Sequence, residues 1–158
     1  MEMEKITLTI NGKDVTNMSL PYGGNTIPFK LVPLDGTLDN LMKPAEYKAI
    51  TYNENASIDG AIGVISERRK KRRDVSIMFW MYAEDTLSLN NALEALEDFL
   101  IKGGSTYGVN EVVIPQIETC YRLVFNKFDK YARLGVGTGK ANISLNFTEV
   151  NPKNRQMP

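Results

Sequence analysis

Histidine is absent from this 158-residue chain, and cysteine occurs once, at Cys120. Without histidine, Ser-His-Asp and Cys-His mechanisms, the common zinc sites and most general-base designs fall away. One cysteine cannot build an intramolecular disulfide framework, which fits synthesis in a reducing compartment. On a strand, Cys120 reads as a small packed residue. No apolar run approaches the ~18–20 residues that span a bilayer. The charged start, Met1-Glu2-Met3-Glu4-Lys5, does not read as a signal peptide. Net charge is also lacking, with 19 Lys and Arg against 19 Asp and Glu, so no global field draws the chain to nucleic acid or to an anionic membrane. The expectation is a soluble protein, made in a cytoplasm, with no membrane partner.

Other catalytic and ligand signatures are missing as well. No Asp-x-Asp-x-Asp-Gly calcium loop occurs, and no pair of carboxylates is nominated by spacing. Gly135-Val136-Gly137-Thr138-Gly139-Lys140 imitates a phosphate-binding loop, but the glycine spacing is wrong. Ala141 replaces the Ser or Thr, and a strand rather than a helix follows. The sequence therefore points to no catalytic residue, no cofactor and no metal, and to a protein that is not an enzyme.

What the chain does have is patterning. Ile6, Leu8 and Ile10 alternate with Lys5, Thr7 and Thr9, the period-2 mark of a half-buried strand. Asn11-Gly12 predicts a tight turn into a second short strand through Val15 and Met18. Thr26 to Val32 is a short strand that Pro28 would confine to an edge. Residues 37–42 form a helical turn that ends before Pro44. A strand at 74–82 places Val75, Ile77, Phe79 and Met81 on one face and Ser76, Met78, Trp80 and Tyr82 on the other. That second face is also fairly apolar, so this strand is central or lies at a subunit contact. An amphipathic helix follows, capped near Thr86–Ser88, with Leu89, Ala92, Leu93, Leu96, Phe99 and Leu100 as its stripe and Gly103 as its stop. Two further strands alternate at Tyr121–Asn126 and Ala141–Thr148. The fold class is α+β, mainly β: an antiparallel sandwich or barrel flanked by one main helix. Residues 1–150 make a single β-rich domain, and 151–158 a polar, frayed tail.

The apolar and neutral averages conceal one asymmetry. Arg68, Arg69, Lys70, Lys71, Arg72 and Arg73 are consecutive, which leaves 13 basic against 19 acidic residues elsewhere, a net of −6. This run ends a turn-rich segment, 53–67, in which Ile58, Ile62, Val64 and Ile65 alone offer apolar surface. The segment 53–73 is thus a long loop or hairpin, of the length usually kept for function. The residues leave three uses of the run open: a solvated loop, a contact with an acidic surface of another protein or copy, and a contact with nucleic acid. Neither a recognition helix nor an aromatic RNA-binding strand motif accompanies it, so DNA contact is not favoured.

The order of motifs along the chain carries a resemblance. Ile6-Thr7-Leu8-Thr9-Ile10-Asn11-Gly12-Lys13-Asp14 comes first, then Leu38-Asp39-Asn40-Leu41-Met42-Lys43-Pro44. Arg73-Asp74-Val75-Ser76-Ile77-Met78-Phe79 follows, and the helix closes on Lys102-Gly103-Gly104. Tyr121-Arg122-Leu123-Val124-Phe125 and Phe147-Thr148-Glu149-Val150-Asn151-Pro152 complete the order. This resembles the distal tail proteins of long-tailed bacteriophages and their tail-tube-fold relatives, including those of phages and prophages of Bacteroides-type bacteria. The resemblance covers nearly the whole chain, through packing motifs. It implies a non-enzymatic virion protein forming a ring, typically six-fold, that joins the tail tube to the baseplate or distal apparatus. It also implies partners in its own copies and in neighbouring tail-tube, tape-measure or baseplate proteins. Contacts would come from Arg68–Arg73, Ile58, Ile62 and Trp80. Two departures stand out: the basic run is longer than the family's, and many distal tail proteins continue into a second domain. A tube, adaptor or completion protein is therefore an alternative within the family. A monomeric module that binds nucleic acid or an acidic partner through 68–73 is the alternative outside it.

Overall fold

The computed structural model describes residues 7–46, 70–135 and 137–158. The expected loop or hairpin at 53–67 lies outside the described residues. Eight strands run β1 (Thr9–Ile10), β2 (Lys13–Asp14), β3 (Met18–Tyr22), β4 (Asn25–Pro33), β5 (Arg73–Tyr82), β6 (Asn110–Ile114), β7 (Thr119–Arg133) and β8 (Lys140–Glu149). Two helices are described, α1 (Thr37–Met42) between β4 and β5 and α2 (Thr86–Lys102) between β5 and β6. All strand pairings are antiparallel, in the order β2-β1-β6-β7-β8-β5-β4-β3.

Chain length forces this sheet to curl. β2 and β3 stand at opposite edges, yet only Val15–Asn17, a single 3-10 turn, lies between them. Four residue steps reach at most about 14 Å, whereas eight flat strands would be about 34 Å wide. The edges must approach each other, and the sheet becomes a nearly closed antiparallel barrel with one long helix, the expected α+β class.

The alternation read from the sequence marks the inside. Val75–Phe147, Ile77–Leu145, Phe79–Ile143 and Met81–Ala141 are cross-strand partners of β5 and β8, and all eight are buried. β5 is central, between β8 and β4. Helix α2 contributes Leu89, Ala92, Ala95, Leu96 and Leu100 to the same core while touching β3, β4 and β7. Leu93 and Phe99, expected in its stripe, are only partly buried, whereas Ala95, not expected there, is buried.

Several local expectations need correction. The predicted second strand through Val15 and Met18 is broken by the 3-10 turn, where the Asp14 carboxylate accepts from the Thr16 N–H. The strand holding Pro28 is not at an edge, since β4 pairs with both β3 and β5. Pro28 is tolerated because it faces Ser19 of β3, and the β5 ladder begins only at Lys30. β6 was not anticipated: its Val112-Val113-Ile114 run breaks the alternation that marks a strand. The cap of α2 is Asp85, whose carboxylate accepts from the Ser88 N–H at 2.7 Å. That hydrogen bond holds its carboxyl below the usual carboxylate range. β7 carries two register shifts against β8, so Phe125, Phe128 and Tyr131, three apart, all meet inward-facing partners.

Two turns behave as their residues demand. Asn11-Gly12 has positive φ at both positions (54° and 82°), the geometry of a tight hairpin turn. Gly103 closes α2 at φ 78°, and a Cβ there would sit 2.6 Å from the Val109 nitrogen. Gly103→Ala therefore meets both strain and a backbone clash, and should destabilise by about 2 kcal/mol or more. Gly12→Ala has the strained φ but open space, with nothing within 4 Å. Urea denaturation of the two variants should give the larger loss of midpoint at Gly103.

Candidate assembly surface

β4 covers the edge of β5 only between Phe79 and Tyr82. Below that, side chains of α1 take over the ladder. Thr37 Oγ1 donates to the Met78 carbonyl at 2.9 Å and accepts from its N–H at 3.1 Å, and Asn40 Nδ2 donates to the Ser76 carbonyl at 3.0 Å. This arrangement positions the foot of β5, where the basic run enters the barrel.

The run divides there. Lys71 and Arg72 are exposed; Lys71 N–H donates to the Glu46 carbonyl, and its ammonium lies 4.0 Å from the Glu46 carboxylate. Lys70 is half-buried. A polar hollow of about 360 Å³ lies beside them, with Lys43, Glu46, Lys71, Arg72 and Asp74 on its walls. Arg68, Arg69, Ile58 and Ile62 lie outside the described residues.

Arg73 turns inward, with its side chain 8% exposed. Its Nε donates to Glu149 at 2.8 Å, and its terminal nitrogens donate to the carbonyls of Asn40, Leu41 and Lys43. The guanidinium thus both pairs with an anion and caps the free carbonyls at the end of α1, where the helix dipole favours a cation. Glu149 is fully buried and receives a second guanidinium, Arg155, at 2.9 and 3.0 Å. The hydrogen bond to Glu149 pushes Arg155 further up. The Tyr121 ring packs against both cations, 5.8 Å from Arg73 and 5.0 Å from Arg155. Burial pushes its phenol up, and the two cations pull the other way.

This cluster also ties down the chain after β8. Cys120 N–H donates to the Arg155 carbonyl at 3.1 Å, and Pro152 is buried. The tail, expected to fray, is docked as far as Arg155, whose guanidinium donates to both Glu149 oxygens. Glu149, Arg155 and Tyr121 were not singled out from the sequence. The available signal was Glu149 itself, which continues the inward register of Ala141, Ile143, Leu145 and Phe147 as a charge.

Trp80 lies half-exposed on the outer face of the sheet, between Val32 of β4 and Asn142 of β8. It lies seven residues along β5 from Arg73, away from the foot of the strand where Lys70–Arg73, the described part of the basic run, are placed. A second hollow, about 540 Å³ and largely apolar, lies between the start of β1 and α1, lined by Leu8, Val32, Leu38, Leu41 and Ile114. Among the described residues no group of three His, Cys, Asp or Glu could hold a metal. Cys120 is buried, and burial pushes its thiol up, away from the reactive thiolate.

The buried cluster makes a stability prediction. Removing Glu149 strands two guanidiniums against the core, so Glu149→Gln should cost about 3–5 kcal/mol in denaturant unfolding. Arg155→Ala should cost less, since Arg73 still neutralises Glu149, but should open the tail to protease. Equal losses in the two variants would mean that the cluster does not act as described.

No protein-family model matches the chain, and no curated protein does. Among solved structures, the fold is similar to the Dit protein (gp 19.1) of phage SPP1, described as a paradigm of the hub adsorption apparatus in phages infecting Gram-positive bacteria. The TM-score is 0.55 at 14% identity, over 94% of this chain and 51% of that one. The chain thus spans about half the length of that protein, and what the two share is the fold.

Proposed function

We propose that the protein is a non-enzymatic structural subunit of a phage tail, acting in the virion as a ring, six-fold in the simplest case, between the tail tube and the distal apparatus. The observation that carries this reading is the fold similarity over 94% of the chain to a protein of a phage hub adsorption apparatus. The motif order of the sequence supports it independently, as does a cysteine placed for packing rather than for reaction. Its partners in this reading are its own copies and the adjoining tail-tube, tape-measure or baseplate proteins. In this reading the exposed Lys71 and Arg72 face an acidic surface on one of them.

Light scattering of the purified protein tests the reading. A discrete species near six times 17.7 kDa, with closed rings on electron-microscopy grids, is the expected result. A 17.7 kDa monomer up to millimolar concentration, with no rings on grids, would overturn self-assembly. It would favour a monomeric binding module, whose contacts should weaken steeply with salt.

A further inference from the structure

Helix α2 buries one stripe and presents the opposite one to solvent. The outward stripe reads Leu87, Glu94, Glu97, Asp98 and Ile101, all exposed and aligned by helical spacing. Leu87 is 69% and Ile101 48% exposed, so three carboxylates lie bracketed by two aliphatic side chains that water covers poorly. Glu94 accepts a hydrogen bond from the Tyr22 hydroxyl. Glu97 and Asp98 make no ion pair among the described residues.

The outer face of the sheet carries the complementary pattern. Pairing sets Lys30, Tyr82 and Lys140 side by side on one rung, and the Lys140 ammonium lies 5.8 Å from the Tyr82 ring centre. The next outward rung is Val32, Trp80, Asn142 and Ala132, and the next Met78, Ser144 and Lys130. The rungs between them, Leu31-Met81-Ala141 and Phe79-Ile143, point inward and are buried. An apolar centre of Val32, Trp80 and Met78 is thus framed by three lysines, and the acidic Asp129 just beyond them accepts from Ser76 and pairs with Lys127. The dimensions match: fourteen helical steps run about 21 Å, and four strands are about 14 Å wide before their side chains reach out.

The two faces turn away from one shared core, so they cannot meet within a single copy. We infer that the acidic stripe of α2 in one copy docks on the lysine-framed sheet face β4-β5-β8-β7 of the next copy. The contact is heterologous, joining different patches, and such a contact generates a ring when its rotation closes. Charge complementarity sets the register and the aliphatic and aromatic side chains supply the buried area. This inference rests on the ring reading and gives it a specific interface.

Charge reversal tests it. Glu97→Lys with Asp98→Lys, and separately Lys130→Glu with Lys140→Glu, should each reduce the light-scattering mass to that of the monomer, with the fold retained by circular dichroism. Mixed in equal amounts, the two variants should assemble again, because each reversed face then meets an oppositely charged one. Should either reversal prevent folding, Glu97→Gln with Asp98→Asn, and Lys130→Gln with Lys140→Gln, are the substitutes, and each should shift assembly at least tenfold in concentration. If the reversed variants assemble like the parent, the ring stands and this interface is wrong. Loss in both variants without recovery on mixing overturns the pairing. A parent chain that never assembles overturns the ring reading, and this inference with it.

Discussion

Three residues between β2 and β3 constrain everything else in this protein. Because the chain passes from one edge of an eight-stranded sheet to the other in one 3-10 turn, the sheet has to wrap. Wrapping creates an inside, and the inward faces of β5, β8 and α2 must fill it at close packing. The 17-residue helix contributes to that inside, and its buried side includes alanines at 92 and 95 as well as leucines. The outward faces of sheet and helix are consequences of the same wrapping. They are what remains for contact with other molecules.

The ion cluster at Glu149 is the second organiser, and it connects elements that packing alone would leave loosely related. Arg73 reaches the last carbonyls of α1, Arg155 brings in the chain after β8, and Tyr121 of β7 packs against both. A buried ion pair gains little over a well-packed apolar alternative, and its desolvation is costly. Its value here is geometric. One carboxylate with two guanidiniums allows few arrangements, so it sets the angle at which the foot of β5 leaves the barrel. Lys71 and Arg72 stand exposed beside that point, with the Lys71 N–H bonded to the Glu46 carbonyl.

Much of the barrel was legible because strand alternation reports burial directly. The inward residues of β5 and β8 are those the period-2 pattern names, and the Asn-Gly turn forms where its residues require positive φ. β6 was not legible, since a strand with three consecutive apolar residues has no clear face until its neighbours are known. The α2 cap was misplaced by one to three residues because Asp, Thr and Ser can all cap, and the choice depends on where β5 releases the chain. The two shifts in β7 were hidden for a related reason: a bulge is decided by the strand across from it.

By itself the sequence determined the fold class of the protein: mostly antiparallel strands and one amphipathic helix. These are properties of periodicity and residue type, which act locally. Tertiary structure decided how the charges are used. Arg73 reads as one of six equivalent cations, yet burial beside Glu149 makes it a structural residue, while Lys71 and Arg72 stay at the surface. Likewise Lys30, Lys130 and Lys140 are scattered over more than a hundred positions, and only strand pairing frames Trp80 with them. Electrostatic and contact energies depend on distance in space, and sequence order does not record it until the barrel closes.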